Sequence, residues 1–291
     1  MANLKEIRIR IASVQSTQKI TGAMKMVAAA KLRRAQMAIL QLRPYSKKLS
    51  EIVSNIASED TENNPLAEVR PVENVVFILI TSNKGLCGGF NNNILKHTEQ
   101  LLSTEYAAQH AKGNVHFICM GKRASDYVRN KKYPCIGNYD HLTENTSFDA
   151  VADIAVQLMN DYTAKKYDKV VVVYNEFKNA ATQILTHEQY LPILPAKQAE
   201  NAKNKVDYIF DPDKKELYKA LIPKVMKVQL FKCLLDSVAS EHGARMTAMH
   251  KATENATELI KQLNLTYNKL RQAAITNEII EIVSGAEALN G

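Results

Sequence analysis

A seven-residue rhythm of apolar side chains at both ends of the chain restricts its fold more than any other feature. Leu4, Ile7, Ile11 and Val14 recur at spacings of three and four, and Ala252, Ala256, Leu259, Leu263 and Leu270 continue the rhythm near the other terminus. Helices with such seams bury them against a partner, so the two termini are expected to pair and the stretch between them to fold separately. The expected product is a rod carrying a globe: helix over 1–58, an α/β domain over 70–210 and helix over 213–289. Run unbroken from Pro223 to Leu289, the last helix is about 100 Å long at about 1.5 Å per residue, several times an ordinary globular helix. Such length serves reach or force rather than catalysis.

The pattern changes period between the helices. Pro44 is expected to kink or restart the first helix, because proline removes a backbone donor and crowds the preceding turn; a second piece, Tyr45 to Ala57, follows, and Ser58 to Asn64 reads as a loop. Val75 to Thr81 is a continuous apolar run of strand length, closed by the turn-rich Ser82 to Gly89, after which Ile94, Leu95, Leu101 and Leu102 mark a helix. Val115 to Met120 with Lys122 to Lys131 repeats the unit. The helix Phe148 to Ala164 leads to a third strand, Val170 to Tyr174, and Ile184 with Leu185 suggests an edge strand. Alternation of this kind predicts α/β class, a small, mostly parallel, Rossmann-like sheet with crossover helices. Asp207 to Asp213 should break structure before the final helix begins near Lys214.

With 291 residues, 46% of them hydrophobic, the chain can bury a substantial core. The longest apolar run, Val75 to Ile80, is far too short to cross a bilayer, and neither a secretory signal nor a transit peptide is expected at the N-terminus. Cys87, Cys119, Cys135 and Cys233 lie far apart without a CxxC pair, which suits thiols in a reducing compartment. Glu241, His242 and His250 share one helix, yet their order is not HExxH.

The glycine-rich turn, Gly85 to Gly89, invites a nucleotide reading. A phosphate loop needs GxxxxGK[ST] and a dinucleotide site GxGxxG, because both depend on backbone amides at fixed offsets, and neither pattern is present. A tight turn or a close protein contact fits Gly88 and Gly89 better. Nor is there a nucleophile elbow or a carboxylate pair spaced for acid and base roles. The net charge of +8 is concentrated: from Lys5 to Lys48 the first helix carries eleven cations and Glu6 as its one early anion. An acidic partner follows, which leaves nucleic acid open, although no aromatic residue in the first forty positions offers a base a stacking surface.

The first seam is interrupted. Extending the rhythm from Leu4 puts Gln18, Thr21 and Lys25 at seam positions, whereas Ile20, Met24 and Val27 form an apolar stripe beside them, so the buried face is expected to shift there. Small residues, Ala28 to Ala30 and the run Ala244, Ala248, Ala252, Ala256, allow close helix approach.

Four segments carry a family resemblance: Thr17 to Leu32, Thr81 to Asn91, Glu241 to Met249 and Leu265 to Leu289, where the sequence reads LTYNKLRQAAITNEIIEIVSGAEAL. In content, order and spacing they resemble the gamma subunit of F-type ATP synthase of the bacterial type. The resemblance implies an antiparallel, left-handed coiled coil of the terminal helices. This coil would stand as a rotor inside a ring of three alpha and three beta subunits, one copy per complex. The α/β domain would meet the epsilon subunit and the c-ring of Fo. It further implies a non-catalytic subunit without cofactors that couples proton flow to ATP synthesis on the beta subunits and regulates both, peripheral to the cytoplasmic side of the cell inner membrane. The basic helix then reads as a bearing against acidic beta-subunit loops, not as a nucleic-acid surface.

Carried over by motif, Met24 and Lys25 match the contact with the beta subunits' lever region, and Arg245, Gln272, Thr276 and Glu281 match coupling contacts. Leu86, Cys87, Gly88 and Gly89 would shape the foot, and Ile279 to Val283 an apolar tip turning in a hydrophobic collar. Two departures stand out. The region from Asn179 to Phe210 has no cysteine pair of the kind plastid members use, and Asn83-Lys84 follows Thr-Ser where the family carries an acidic residue.

Overall fold

The computed structural model describes residues 4–60, 65–193 and 214–290. The chain forms α1 (Leu4–Asp60), β1 (Val75–Ile80), α2 (Phe90–Ser103), α3 (Ala107–Ala111), β2 (Val115–Met120), α4 (Lys122–Asn130), β3 (Cys135–Asn138), α5 (Phe148–Thr163), β4 (Lys169–Phe177), β5 (Gln183–Leu191) and α6 (Lys214–Asn290), with a 3-10 turn at Asp140–Thr143. These elements pack as two compact units, Met1–Ala28 with Met246–Gly291, and Ala29–Arg245.

In the first unit the ends of α1 and α6 pair through side chains. Gln18 Nε2 donates to Thr257 Oγ1 at 2.6 Å, the Thr21 and Thr253 hydroxyls share a bond of 2.8 Å, and Lys25 Nζ lies 3.2 Å from His250 Nδ1. As α1 advances from 18 to 25, its partner on α6 falls from 257 to 250, so the helices run antiparallel. Ile7, Ala28, Met249 and Ala256 are buried along this seam.

The expected change of face near residue 20 does not occur. Thr21 is buried and Gln18 half-buried, whereas Ile20 and Val27 are 60% and 58% exposed. The polar side chains stay in the seam because each finds its hydrogen-bond partner across it, which removes the cost of burying them. The seam keeps its register, and the apolar residues beside it face outward.

Within the second unit lies a five-stranded sheet of order β3-β2-β1-β4-β5, parallel except for β5, which pairs antiparallel with β4. All six residues of β1 are buried, as in a central strand covered on both faces. Val75, Phe77 and Leu79 point to one face, where Ile94, Leu101 and Leu102 of α2 and Val128 of α4 pack on them. On α5, Val151, Ile154, Ala155, Leu158, Met159 and Tyr162 are buried at helical spacing, and Ser147 Oγ caps its first turn by accepting from the Ala150 amide.

Four elements depart from expectation. Pro44 does not restart α1, which runs as one helix to Asp60, with Ile39 and Leu49 buried on either side of the proline. Tertiary packing supplies what the missing amide cannot. Strand β3 and helix α3 were not anticipated, and β5 extends well beyond Ile184 and Leu185. The break expected from Asp207 to Asp213 lies outside the described residues.

Candidate functional site

The loop from Thr81 to Gly89 joins β1 to α2 and is built on a buried hydrogen-bond knot. Asn91 Oδ1 accepts from the Ser82 amide at 3.0 Å, Asn91 Nδ2 donates to Ser82 Oγ at 2.8 Å and lies 3.2 Å from Cys87 Sγ, and Ser82 Oγ is 2.7 Å from the Lys84 carbonyl oxygen. The backbone then turns left-handed twice, at Leu86 with φ 63° and at Gly88 with φ 59°. Glycine adopts that conformation freely; leucine does so at a cost of about 1–2 kcal/mol. The strained Leu86 presents its side chain outward, 63% exposed, while Cys87 is buried. Strain of this kind persists where surrounding structure over-determines the loop.

Arg245 is a large part of that surrounding structure. Its guanidinium donates to the carbonyls of Lys84 at 2.9 Å and Gly85 at 3.2 Å, and pairs with the carboxylate of Glu241 one turn earlier on α6. Burial pushes the Glu241 carboxyl up, against the pull of Arg245 and Lys31. Burial likewise drives His242 down to about 4, helped by the positive charges of Arg245 and Lys31, so its imidazole is neutral near pH 7. Asn83 ties the loop on its other side: its amide nitrogen donates to the Asp140 carbonyl at 3.0 Å, and its oxygen accepts from the Lys122 amide at 2.9 Å at the start of α4.

In an open α/β sheet, ligands lie at the strand carboxyl ends where the order reverses, which here means between β1 and β4. The protein fills that crevice with its own helices. Ser237 Oγ on α6 donates to the carbonyl of Ile80, the last residue of β1, at 3.3 Å; Arg43 on α1 donates to the carbonyl of Phe177, the last residue of β4, at 3.2 Å. Between them Asp236 is fully buried, 3.5 Å from Arg43 Nη2, and its two oxygens and the Ser240 hydroxyl have no hydrogen-bond partner among the described residues. Burial raises the Asp236 carboxyl to about 6; Lys232 and Arg43 oppose this and Glu176 reinforces it.

The other expected site residues lie in the first unit. Met24 and Lys25 are half-buried beside the helix seam. Gln272, Thr276 and Glu281 are exposed on α6, Thr276 returning its hydroxyl to the Gln272 carbonyl at 2.9 Å. Every residue from 275 to 286 is exposed, Ile279, Ile280, Ile282 and Val283 by 51–71%. Ile20 and Val27, expected on the buried face, are exposed, and with Ile9 and Met26, which the sequence did not single out, they are 58–69% exposed on α1 and interleaved with cations. Their signal was an apolar residue off the heptad, which reads as seam until the seam's register is known.

A family model described as ATP synthase matches residues 3–289. The ATP synthase gamma chain of Christiangramia forsetii is 54% identical over 294 residues, and that of Cytophaga hutchinsonii 51%, each covering the whole of both chains. The gamma chain of Chlorobaculum tepidum is 48% identical with 99% of both chains covered. Among solved structures, a chain of the Tetrahymena thermophila mitochondrial ATP synthase central stalk and c-ring is 26% identical with a TM-score of 0.58, covering 80% of this chain and 99% of that one. A chain of the Euglena gracilis mitochondrial ATP synthase rotor shares the fold, with 20% identity, a TM-score of 0.67 and coverage of 94% and 98%.

Proposed function

This chain belongs to the gamma-chain family of ATP synthase, and on that premise we propose that it is the central rotor shaft of the F1 sector of a bacterial F-type enzyme. One copy turns inside a ring of three alpha and three beta subunits. The first unit meets the ring, and the sheet-bearing second unit meets the epsilon subunit and the c-ring of Fo at the cytoplasmic side of the inner membrane. Nucleotide turns over on the beta subunits, and this chain contributes no catalytic group.

The antiparallel pairing of α1 with α6 carries this reading. A shaft must transmit torque without unwinding, and a two-helix seam locked by Gln18–Thr257, Thr21–Thr253 and Lys25–His250 resists sliding better than an apolar seam alone. Its outward face is asymmetric, so one shaft presents different side chains to three identical beta subunits. Each orientation then favours a different conformation, and nucleotide affinity, in each of them. A contact stronger by about 1.4 kcal/mol in one orientation changes the affinity about tenfold, and burying one exposed isoleucine or methionine supplies about 1.5–3 kcal/mol. A few such residues suffice. The basic face of α1 works as the bearing, and the apolar end of α6 turns where few directional bonds have to break.

Met24, Lys25, Gln272, Thr276 and Glu281 are the proposed ring contacts. Arg245, through its grip on the loop that presents Leu86, Gly88 and Gly89 around the buried Cys87, shapes the surface offered below the ring. Native mass spectrometry of this chain mixed with alpha and beta subunits of one bacterium tests the assignment. One copy per three alpha and three beta subunits, with ATP turnover the chain alone lacks, is the expected result; a chain that stays out of the assembly overturns it.

A further inference from the structure

Two imidazoles outside the proposed contacts face each other on the second unit. His97 stands on α2 and His187 on β5, and their Nε2 and Nδ1 atoms are 3.0 Å apart with ring centroids at 5.0 Å. A late first-row divalent cation sits about 2.0–2.1 Å from an imidazole nitrogen. One ion reaching both nitrogens at their observed separation would subtend an angle of about 95°, close to the cis angle of square-planar or octahedral coordination and tighter than the tetrahedral one. The rings are not clamped, since His187 is exposed and His97 half-buried.

Either ring can free the nitrogen it turns inward, because neutral imidazole holds its proton on either of two nitrogens. In the ion-free protein one of the two facing nitrogens carries the proton of their contact, and an ion takes its place once that ring shifts its proton to its other nitrogen.

We propose that His97 and His187 form a surface site for one divalent transition-metal ion of the copper or nickel type, completed by solvent, which clips helix α2 to the antiparallel edge strand β5. Zinc, preferring tetrahedral geometry, should bind less well. The juxtaposition is tertiary: the residues are ninety positions apart, and neither lies in a sequence motif.

Untagged full-length chain titrated with Cu2+ at neutral pH tests the proposal, by calorimetry and by electron paramagnetic resonance. The wild type should show a site with two-nitrogen ligation, and the ion should raise its Tm. H97Q and H187Q should each lower the affinity of that site by about tenfold or more, since loss of even a supporting second-shell partner can cost that much, and should abolish the Tm increment while circular dichroism stays unchanged. If the double variant binds Cu2+ with the wild-type isotherm and spectrum, the ion sits on other groups and the proposal fails; binding of no ion by the wild type overturns it equally. Neither outcome bears on assembly with alpha and beta subunits.

Discussion

The guanidinium of Arg245 donates to the carbonyl oxygen of Lys84 at 2.9 Å, and through that bond a residue of α6 sets the conformation of the loop after β1. The same guanidinium neutralises the buried carboxylate of Glu241. Removing Arg245 therefore breaks a buried pair and frees the loop together.

R245A should destabilise the isolated chain by about 3–5 kcal/mol, the usual cost of leaving one buried charge unpaired. R245A/E241Q should recover a good part of this, because no charge is then left uncompensated, yet should not restore the loop. Urea unfolding measures the first effect, and proteolysis within Ser82 to Gly89 the second. Equal stability of the single and double variants would contradict the pairing.

Asp236 makes stability depend on pH in an unusual direction. Its folded-state carboxyl is raised from the ordinary 3.8 to about 6, chiefly by burial, so the folded chain holds the proton more tightly than the unfolded one. The stability this contributes is fully present below about pH 4 and is lost as pH rises towards 6. Relative to D236N, the wild type should lose on the order of 3 kcal/mol across that window. Parallel pH profiles of the two proteins would contradict the burial argument.

Asn83 stands where its relatives were expected to carry an acid, and the structure gives the amide a use. It donates to Asp140 and accepts from Lys122, and a carboxylate can do only the second. N83D should cost about 1 kcal/mol and N83A, which loses both bonds, about 2 kcal/mol. Chemical denaturation that finds N83D as stable as the wild type would show that the Asp140 bond contributes nothing.

Met24 is half-buried beside the Lys25–His250 contact. M24K adds a charge to the proposed contact with the beta subunits without touching the core, so the variant complex should still hydrolyse ATP while its proton pumping falls sharply. Membrane vesicles with a pH-sensitive dye report both activities, and wild-type pumping would remove Met24 from the coupling surface.

The seam, β1, β2 and the helices that follow them were legible because their apolar residues recur at one clear period and are closed by turn residues. Other parts were hidden for identifiable reasons. Strand β3, Cys135–Asn138, is short, mostly exposed and follows Pro134, so it has almost no apolar run to display. Helix α1 continues through Pro44 because residues distant in sequence pack around it. Gln18 and Thr21 looked like faults in the seam because their partners, Thr257 and Thr253, lie more than two hundred residues away. For the candidate sites, motifs pointed to Arg245 and the glycine turn. The Ser82–Asn91–Cys87 knot, the burial of Asp236 and the His97–His187 pair exist only in the folded chain.

Rotation itself is the most direct test. An assembly of alpha, beta and this chain is fixed to a surface through its beta subunits, a probe is attached to an engineered cysteine on the exposed face of the sheet-bearing unit, and ATP is supplied under a microscope. A central rotor should turn in one direction, pausing at thirds of a turn as each beta subunit fires. Sustained ATP hydrolysis with a stationary probe on an assembled chain would contradict the account.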